Sequence, residues 1–336
     1  MSYDTSYLKD ECSSTLQYVP FQLSLVFHSS TAITSFYATF YFLEKHIKKS
    51  PIHNNFKFLL LLYFFNSYAR GAVFVASAFS FLYRVYIFNG STENLLMNPI
   101  VFQCFHLLFA GSLVIDATIK GLLVFERLIA TGRVEKYEAQ KARNSCWIYL
   151  VITIVFPVLV IYVTYRAADF SQSTCFALFA PRNTENWINI LFLASFLTAL
   201  LSFVMLRLII LLNTKKLKLL AFKLTTRYQI RENLTCTGLV SSVLITGLSV
   251  TIFYGITMMF FRTTQFQVFM ENRPLFSTVK MFCYPFTIAD LVIPIYSGNQ
   301  MNRIKKSKNS VLNHSLNTSS EQATNAYQNI LRKQWE

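Results

Sequence analysis

Oppositely charged side chains lie close together in parts of this chain that are otherwise apolar. Glu126 and Arg127 are adjacent where the run LVFERLIATGRVEKYE, residues 123–138, changes from apolar to charged. Asp116 and Lys120 are four residues apart, which places them on one face of a helix. Charges in apolar surroundings are stabilised by partners of opposite sign. The spacing therefore predicts ion pairs and charge-assisted hydrogen bonds.

Two further charges, Arg70 and Asp290, lie deep within apolar segments that are far apart in the sequence. They are too deep to reach water, so we expect them to pair across a helix bundle and to form a polar network with Asp116 and Lys120. The chain has no HExxH motif, no Gly-rich phosphate loop and no paired Ser/His set. We therefore predict no enzyme, no metal site and no cofactor.

The composition is typical of a membrane protein. Of the 336 residues, 53% are hydrophobic and only 14% are charged, whereas a soluble domain has about 25% charged residues. The net charge of +15 could indicate a nucleic-acid partner. The basic residues recur in short bursts between apolar runs, so we predict no nucleic acid and a lipid bilayer instead.

Seven apolar runs are long enough to cross a bilayer, which needs about 20 residues. They predict an all-α seven-transmembrane bundle. Residues 1–18 are polar and lack the basic region of a signal peptide, so the first apolar run is expected to direct targeting. Residues 298–336 are expected to form a largely disordered tail. The predicted spans are 19–43, 58–83, 105–125, 146–166, 187–212, 235–261 and 278–297.

The last span contains Pro285 and Pro294 on either side of Asp290, and this pattern predicts a doubly interrupted helix. Prolines in a membrane helix produce kinks that either adjust packing or act as hinges. The sequence leaves these two interpretations open.

Lys and Arg in the connections predict the orientation of the bundle. The connections 44–57, 126–144 and 213–234 together with the tail carry 21 of these residues, and the opposite side carries five. We therefore expect an extracellular N-terminus and a cytoplasmic C-terminus.

This orientation places Cys104 and Cys175 on the outer side, where disulfides persist. We predict a bridge between them, with Cys12 as the odd cysteine; the alternative is two unpaired thiols. Asn89 begins the sequon Asn89-Gly90-Ser91 in the first outer loop, which predicts a glycosylation site.

Three segments resemble the nematode serpentine chemoreceptors of the Sra superfamily, which are seven-transmembrane G-protein-coupled receptors. The segments are FERLIAT followed by Tyr137-Glu138, RYQIREN at residues 227–233, and IPIYS near the end of the seventh span. The resemblance covers about residues 20–300 and is strongest to the Srab and Sre branches.

The resemblance implies a multi-pass receptor in the plasma membrane of sensory neurons and their cilia. It would bind a small chemical cue and signal to a heterotrimeric G protein, and a homo- or hetero-oligomer remains open. Roles in coupling and in the activation switch are implied for Glu126, Arg127, Tyr137, Arg227, Tyr228, Gln229, Glu232 and Asn233.

A ligand site between the helices of a bundle is mostly apolar with a few polar groups. Depth in the outer half of the bundle indicates candidates on spans three, six and seven, although aromatic residues at these positions could equally fill the core. The candidates are His106, Phe109, Leu113, Tyr254, Met258, Lys280 and Tyr284.

A ligand-gated seven-span channel and a polytopic transporter are the alternatives. A transporter is expected to show repeated halves and helices broken by Gly and Pro. The chain has nine Gly and no internal repeat, which argues against a transporter. An insect-type odorant channel would need the opposite orientation.

Overall fold

The computed structural model describes most of the chain and shows a bundle of helices. The described residues are 12–15, 17–48, 52–87, 96–133, 142–171, 176, 178, 181, 183–219, 224–268, 272–303 and 306. The all-α fold class is confirmed. The helices are α1 Val19–Phe42, continued by a π-helical turn Leu43–Ile47, α2 Asn54–Ile87, α3 Pro99–Gly132, α4 Ala142–Tyr165, α5 Glu185–Leu219, α6 Leu224–Val268, α7 Arg273–Phe282 and α8, residues 286–303.

Helix α3 lies at the centre of the bundle. It packs against α2, α4, α5 and α6, while α5 packs along α6 and α1 packs against α2 and α7. We call the end of the bundle where α3 finishes the Arg127 end, and the end where α1 and α3 begin the Phe176 end.

Among the described residues, six helical segments are long and apolar enough to cross a membrane, with α7 and α8 counted together. Helix α1 is less apolar, since seven of its 24 residues are Ser or Thr. Five of these hydroxyls bond to the backbone of their own helix; for example, Thr31 donates to Phe27 oxygen and Thr34 to Ser30 oxygen, each at 2.8 Å. These five need no water as a partner.

The helices extend beyond the apolar runs. Helix α6 has 45 residues, or about 68 Å of helix, against about 30 Å for the hydrocarbon core of a bilayer. Apolar runs mark the part of a helix that lipid surrounds and not the point where its hydrogen bonding stops. Most of the helices are therefore longer than the predicted spans, whose bounds stay a prediction.

The seventh span is interrupted once. The chain leaves the helix just before Pro285, and α8 continues through Pro294, so one of the two predicted interruptions is observed. His28 of α1 bridges the break: its Nε2 donates to Met281 oxygen at 2.9 Å, and its Nδ1 lies 2.7 Å from Thr287 Oγ1. The i+4 donor to Met281 oxygen would have been Pro285, which has no N–H.

Candidate functional site

Arg70 and Asp290 join α2 to α8 in the middle of the bundle, as the sequence predicted. Arg70 Nε donates to Asp290 Oδ2 at 3.1 Å, and Arg70 Nη2 contacts Asp290 Oδ1. Both residues are 4% exposed, and Ser67 lies close to Asp290. This two-point geometry is the favoured arrangement for a guanidinium and a carboxylate.

Asp116 and Lys120 pair along α3, which confirms the second pairing that the sequence predicted. Lys120 Nζ donates to Asp116 Oδ2 at 2.5 Å. Asp116 Oδ1 lies 3.7 Å from Arg70 Nη1, a distance too long for a hydrogen bond. Arg70 Nη1 makes no hydrogen bond to any described residue. We call these four residues the central cluster; it carries two positive and two negative charges.

A glycine makes room for the ammonium group of this cluster. A Cβ atom added to Gly247 of α6 would lie 2.5 Å from Lys120 Nζ and 3.0 Å from Lys120 Cε. Any larger residue would push the lysine away, because contacts this short are strongly repulsive. Gly247 therefore fixes the distance between Lys120 and α6.

Asp116 and Lys120 of the central cluster form one wall of a cavity between α3, α5, α6 and α8. Its empty space, including the part open to the outside, is about 550 Å³. Hydroxyl groups and apolar side chains complete the walls. The lining residues are Leu113, Asp116, Ala117, Lys120, Phe192, Ser195, Thr198, Ala199, Ser202, Gly247, Thr251 and Phe286.

Of the predicted ligand residues, Leu113 lines this cavity. Phe109, Tyr254 and Tyr284 form an aromatic layer next to it, in which Tyr254 contacts both Tyr284 and the lining residue Phe286. Lys280 is partly buried on α7 and is not among the lining residues.

His106 lies elsewhere, and the side chain of Met258 is outside the described residues. His106 Nε2 is 2.9 Å from the Tyr165 hydroxyl, and its ring packs against Phe102 and Phe170. Because α4 supplies this partner, the structure assigns His106 to the α3–α4 contact and not to the cavity.

The sequence reasoning missed the wall that α5 provides. Ser195, Thr198 and Ser202 lie on α5 and line the cavity. Their spacing of three and four residues places them on one helix face. That spacing within the apolar run was the signal that could have identified them.

Aromatic rings close the Phe176 end above the cavity. Tyr284 stacks on Phe74 with ring centroids 5.7 Å apart. Beyond this layer, Phe176 is fully buried against Phe21 and Phe81, with centroids 6.0 and 5.8 Å away.

The predicted Cys104–Cys175 bridge is wrong. Cys104 has a free, exposed thiol, because it lies on the outer face of α3 while its neighbour Phe102 points inward. Cys12 is disulfide-bonded and buried. Cys175 lies outside the described residues, as do Asn89 and Tyr137.

Glu126 and Arg127 are both buried at the Arg127 end. Arg127 Nε donates to Glu126 Oε2 at 2.5 Å, and Arg127 Nη1 donates to Asn233 Oδ1 of α6 at 3.0 Å. The guanidinium also lies 4.6 Å from the centre of the Phe56 ring. Arg127 is 2% exposed, so in this structure its charge is not accessible at the surface of the bundle.

Thr131 extends this contact to α5. Its hydroxyl accepts from Asn233 Nδ2 at 2.7 Å and from Asn213 Nδ2 at 2.9 Å. Lys216 Nζ donates to the backbone carbonyl oxygen of Thr131 at 2.8 Å. We call Glu126, Arg127, Thr131, Asn213 and Asn233 the end cluster; it connects α3 to both α5 and α6.

Among the residues implied in coupling, the structure brings Glu126, Arg127 and Asn233 into one cluster. Glu232 lies beside it, where its Oε1 accepts from His53 N–H at 3.1 Å, and Gln229 is partly buried one turn earlier on α6. The side chains of Arg227 and Tyr228 lie outside the described residues. Thr131 and Asn213 were missed; each is a polar residue at the end of an apolar run, a weak signal without a partner in view.

Comparisons with known proteins agree with this architecture. A family model described as "Serpentine type 7TM GPCR receptor class ab chemoreceptor" matches residues 9–336. Serpentine receptor class beta-16 of Caenorhabditis elegans is 26% identical over 97% of this chain and 95% of its own length. Serpentine receptor class beta-3 of the same organism is 24% identical with the same coverage of both chains. This multi-pass membrane protein therefore belongs to the serpentine class ab chemoreceptor family, within the superfamily that its sequence segments indicated.

Proposed function

We propose that the chain is a chemosensory receptor that binds a small molecule in the cavity beside the central cluster and signals to a heterotrimeric G protein through the end cluster. Its place is the plasma membrane of sensory neurons and their cilia, with the N-terminus outside. The Arg127 end, which carries Arg133, Lys216 and Lys218, faces the cytoplasm.

A single helix carries this proposal, because α3 contributes to both clusters. Lys120 lines the cavity and Arg127 lies in the end cluster. Seven residues of helix separate them, or about 10 Å. A rotation or shift of α3 in response to a ligand would therefore reach the end cluster without an intermediate element.

The resting state is the one in which Arg127 is buried. The hydrogen bond to Asn233 holds α6 against α3, and the hydrogen bonds of Thr131 hold both against α5. An active state needs α6 to separate at Asn233 so that the guanidinium can reach a G protein. A ligand favours that state by as much as it binds it more tightly than the resting state.

The test is signalling in cells that carry a G-protein reporter, with a panel of volatile and water-soluble cues. We expect a response that Arg127→Ala abolishes while surface expression persists. Thr235→Ala is the matched control, because the Thr235 hydroxyl bonds within its own helix to Arg231 oxygen. Normal signalling by Arg127→Ala would contradict the switch, and a cue-dependent current without G protein would favour a channel.

A further inference from the structure

The central cluster has a hydrogen-bond donor that it does not use. Arg70 Nη1 makes no hydrogen bond to a described residue, although Arg70 is 4% exposed. The nearest carboxylate oxygen outside its main pair is Asp116 Oδ1, at 3.7 Å. An unsatisfied buried donor is costly. Asp116 would satisfy it by moving closer, but its other oxygen is held by Lys120 at 2.5 Å.

Lys120 connects this unused donor to the cavity. Its ammonium group has three N–H donors, one of which is directed at Asp116. The side chain is 12% exposed and lines the cavity. A second anion in the cavity would draw Lys120 away from Asp116. Asp116 would then be free to approach Arg70 Nη1, and every charge of the cluster would keep a partner.

The same geometry determines which charge the ligand group next to Lys120 must carry. A cation placed at Asp116 would lie next to both Lys120 and Arg70, and like charges at this range repel strongly in apolar surroundings. A neutral acceptor could take a spare N–H of Lys120 but would not displace Asp116. A carboxylate both pairs with Lys120 and releases Asp116.

The remaining walls of the cavity indicate the character of the rest of the ligand, away from its charged group. Leu113, Ala117, Phe192 and Phe286 provide apolar surface. Thr198, another lining residue, is exposed near the middle of α5, so the cavity reaches the side of the bundle at a depth where lipid surrounds the helix. A molecule with an apolar body fits both the walls and this opening.

We propose that the cavity takes a small carboxylic acid with an apolar body, bound as its carboxylate to Lys120, and that Asp116 then transfers its contact from Lys120 to Arg70. This inference names the class of cue for the receptor function proposed above and rests on it. Gly247 sets the specificity, since it holds open the space next to Lys120 Nζ.

The test is thermal stabilisation of the purified full-length receptor in nanodiscs. The probes are hexanoate, octanoate, decanoate and benzoate, with methyl octanoate and octylamine as matched neutral and cationic molecules. We expect at least one acid to raise the melting temperature in a saturable manner. The matching ester and the amine should have little effect.

Two variants locate the binding. Lys120→Gln should weaken acid binding about tenfold or more, because a hydrogen bond to a charged group is lost; Lys120→Arg should retain part of it. Gly247→Ala should weaken binding without changing any charge, whereas Gly255→Ala on the same helix should not, because nothing lies within 4 Å of an added Cβ there.

Several results would overturn the inference. These are no stabilisation by any of the acids, equal stabilisation by ester and acid, or acid binding that survives both Lys120→Gln and Gly247→Ala.

Nucleotide exchange on purified G protein separates this inference from the receptor function. Acid binding without exchange would contradict coupling alone, and exchange driven by the amine or ester alone would contradict the acid class alone.

Discussion

The central cluster and the end cluster both bury an arginine, but they satisfy it differently. Arg70 faces two carboxylates, from α8 and α3. Arg127 bonds to one carboxylate on its own helix, has Glu232 of α6 nearby, and contacts the neighbouring helices through the Asn233 amide and the Phe56 ring. A two-point ion pair thus joins helices at the centre, whereas an amide, an aromatic ring and a more distant carboxylate join them at the end. The difference indicates a centre that holds the bundle together and an end that can separate at modest cost.

The largest effect should follow from Asp290→Asn, which leaves Arg70 without its main counter-charge. Removal of one member of a buried ion pair costs about 3–5 kcal/mol, and we expect a loss of stability of this size in thermal unfolding in nanodiscs. Glu44→Gln is the control, because the exposed Glu44–Lys48 pair contributes about 0–1 kcal/mol. The double variant Arg70→Met/Asp290→Leu should recover most of the loss.

A smaller loss is expected for Glu126→Gln in the end cluster. Arg127 would keep the Asn233 oxygen, the Phe56 ring and the amide oxygen of the new glutamine, so the cost should be about 1.5–3 kcal/mol, that of one charge-assisted hydrogen bond. Basal reporter activity should rise, because the guanidinium is less firmly held. A destabilisation equal to that of Asp290→Asn would break the distinction between the two clusters.

Asn233→Ala tests the neutral contact between α3 and α6. It removes the acceptor for Arg127 Nη1 and the donor to Thr131, so we expect a loss of about 1–2 kcal/mol together with increased basal signalling. Unfolding and reporter assays on the same preparations measure both. Unchanged basal signalling, with stability reduced as expected, would mean that this contact only supports the fold.

An effect of similar size is expected for Thr131→Val, which keeps the shape of the side chain but removes the acceptor for Asn213 Nδ2 and Asn233 Nδ2. Lys216 binds the Thr131 backbone oxygen and is unaffected, so the loss should be about 1–2 kcal/mol. A double-variant cycle with Asn213→Ala should show energetic coupling between the two positions. Additive losses would mean that Thr131 does not connect α5 to α6.

The charge pairs could be predicted from the sequence because membrane burial leaves few alternatives. The i, i+4 spacing fixed Asp116 with Lys120, and depth made Arg70 and Asp290 the available cross-bundle partners. The helices themselves followed from apolar runs. Helix α1 was identified in the same way, although its many hydroxyl groups make it less apolar than the other spans.

The missed features depend on how helices are rotated and on where a loop lies. The α5 wall of the cavity requires knowing which helix each face of α5 meets. The spacing of Ser195, Thr198 and Ser202 marks one face of α5 but does not show what that face contacts. The pairing of Cys104 was predicted from its depth alone. In the structure its side chain points outward, while Phe176 and Cys12 are buried at the Phe176 end, a difference that depth cannot reveal.

The contact of His28 with the break between α7 and α8 bears on the order in which the bundle is made. Helix α1 emerges first from the ribosome and the seventh span emerges last. At the break, Met281 oxygen accepts from Tyr284 N–H in its own segment and also from the His28 ring, and the Thr287 hydroxyl bonds the same ring. An apolar medium offers no water as a substitute for the His28 contacts. The last span therefore gains these two hydrogen bonds when it docks on α1, and a single imidazole joins the first span to the last.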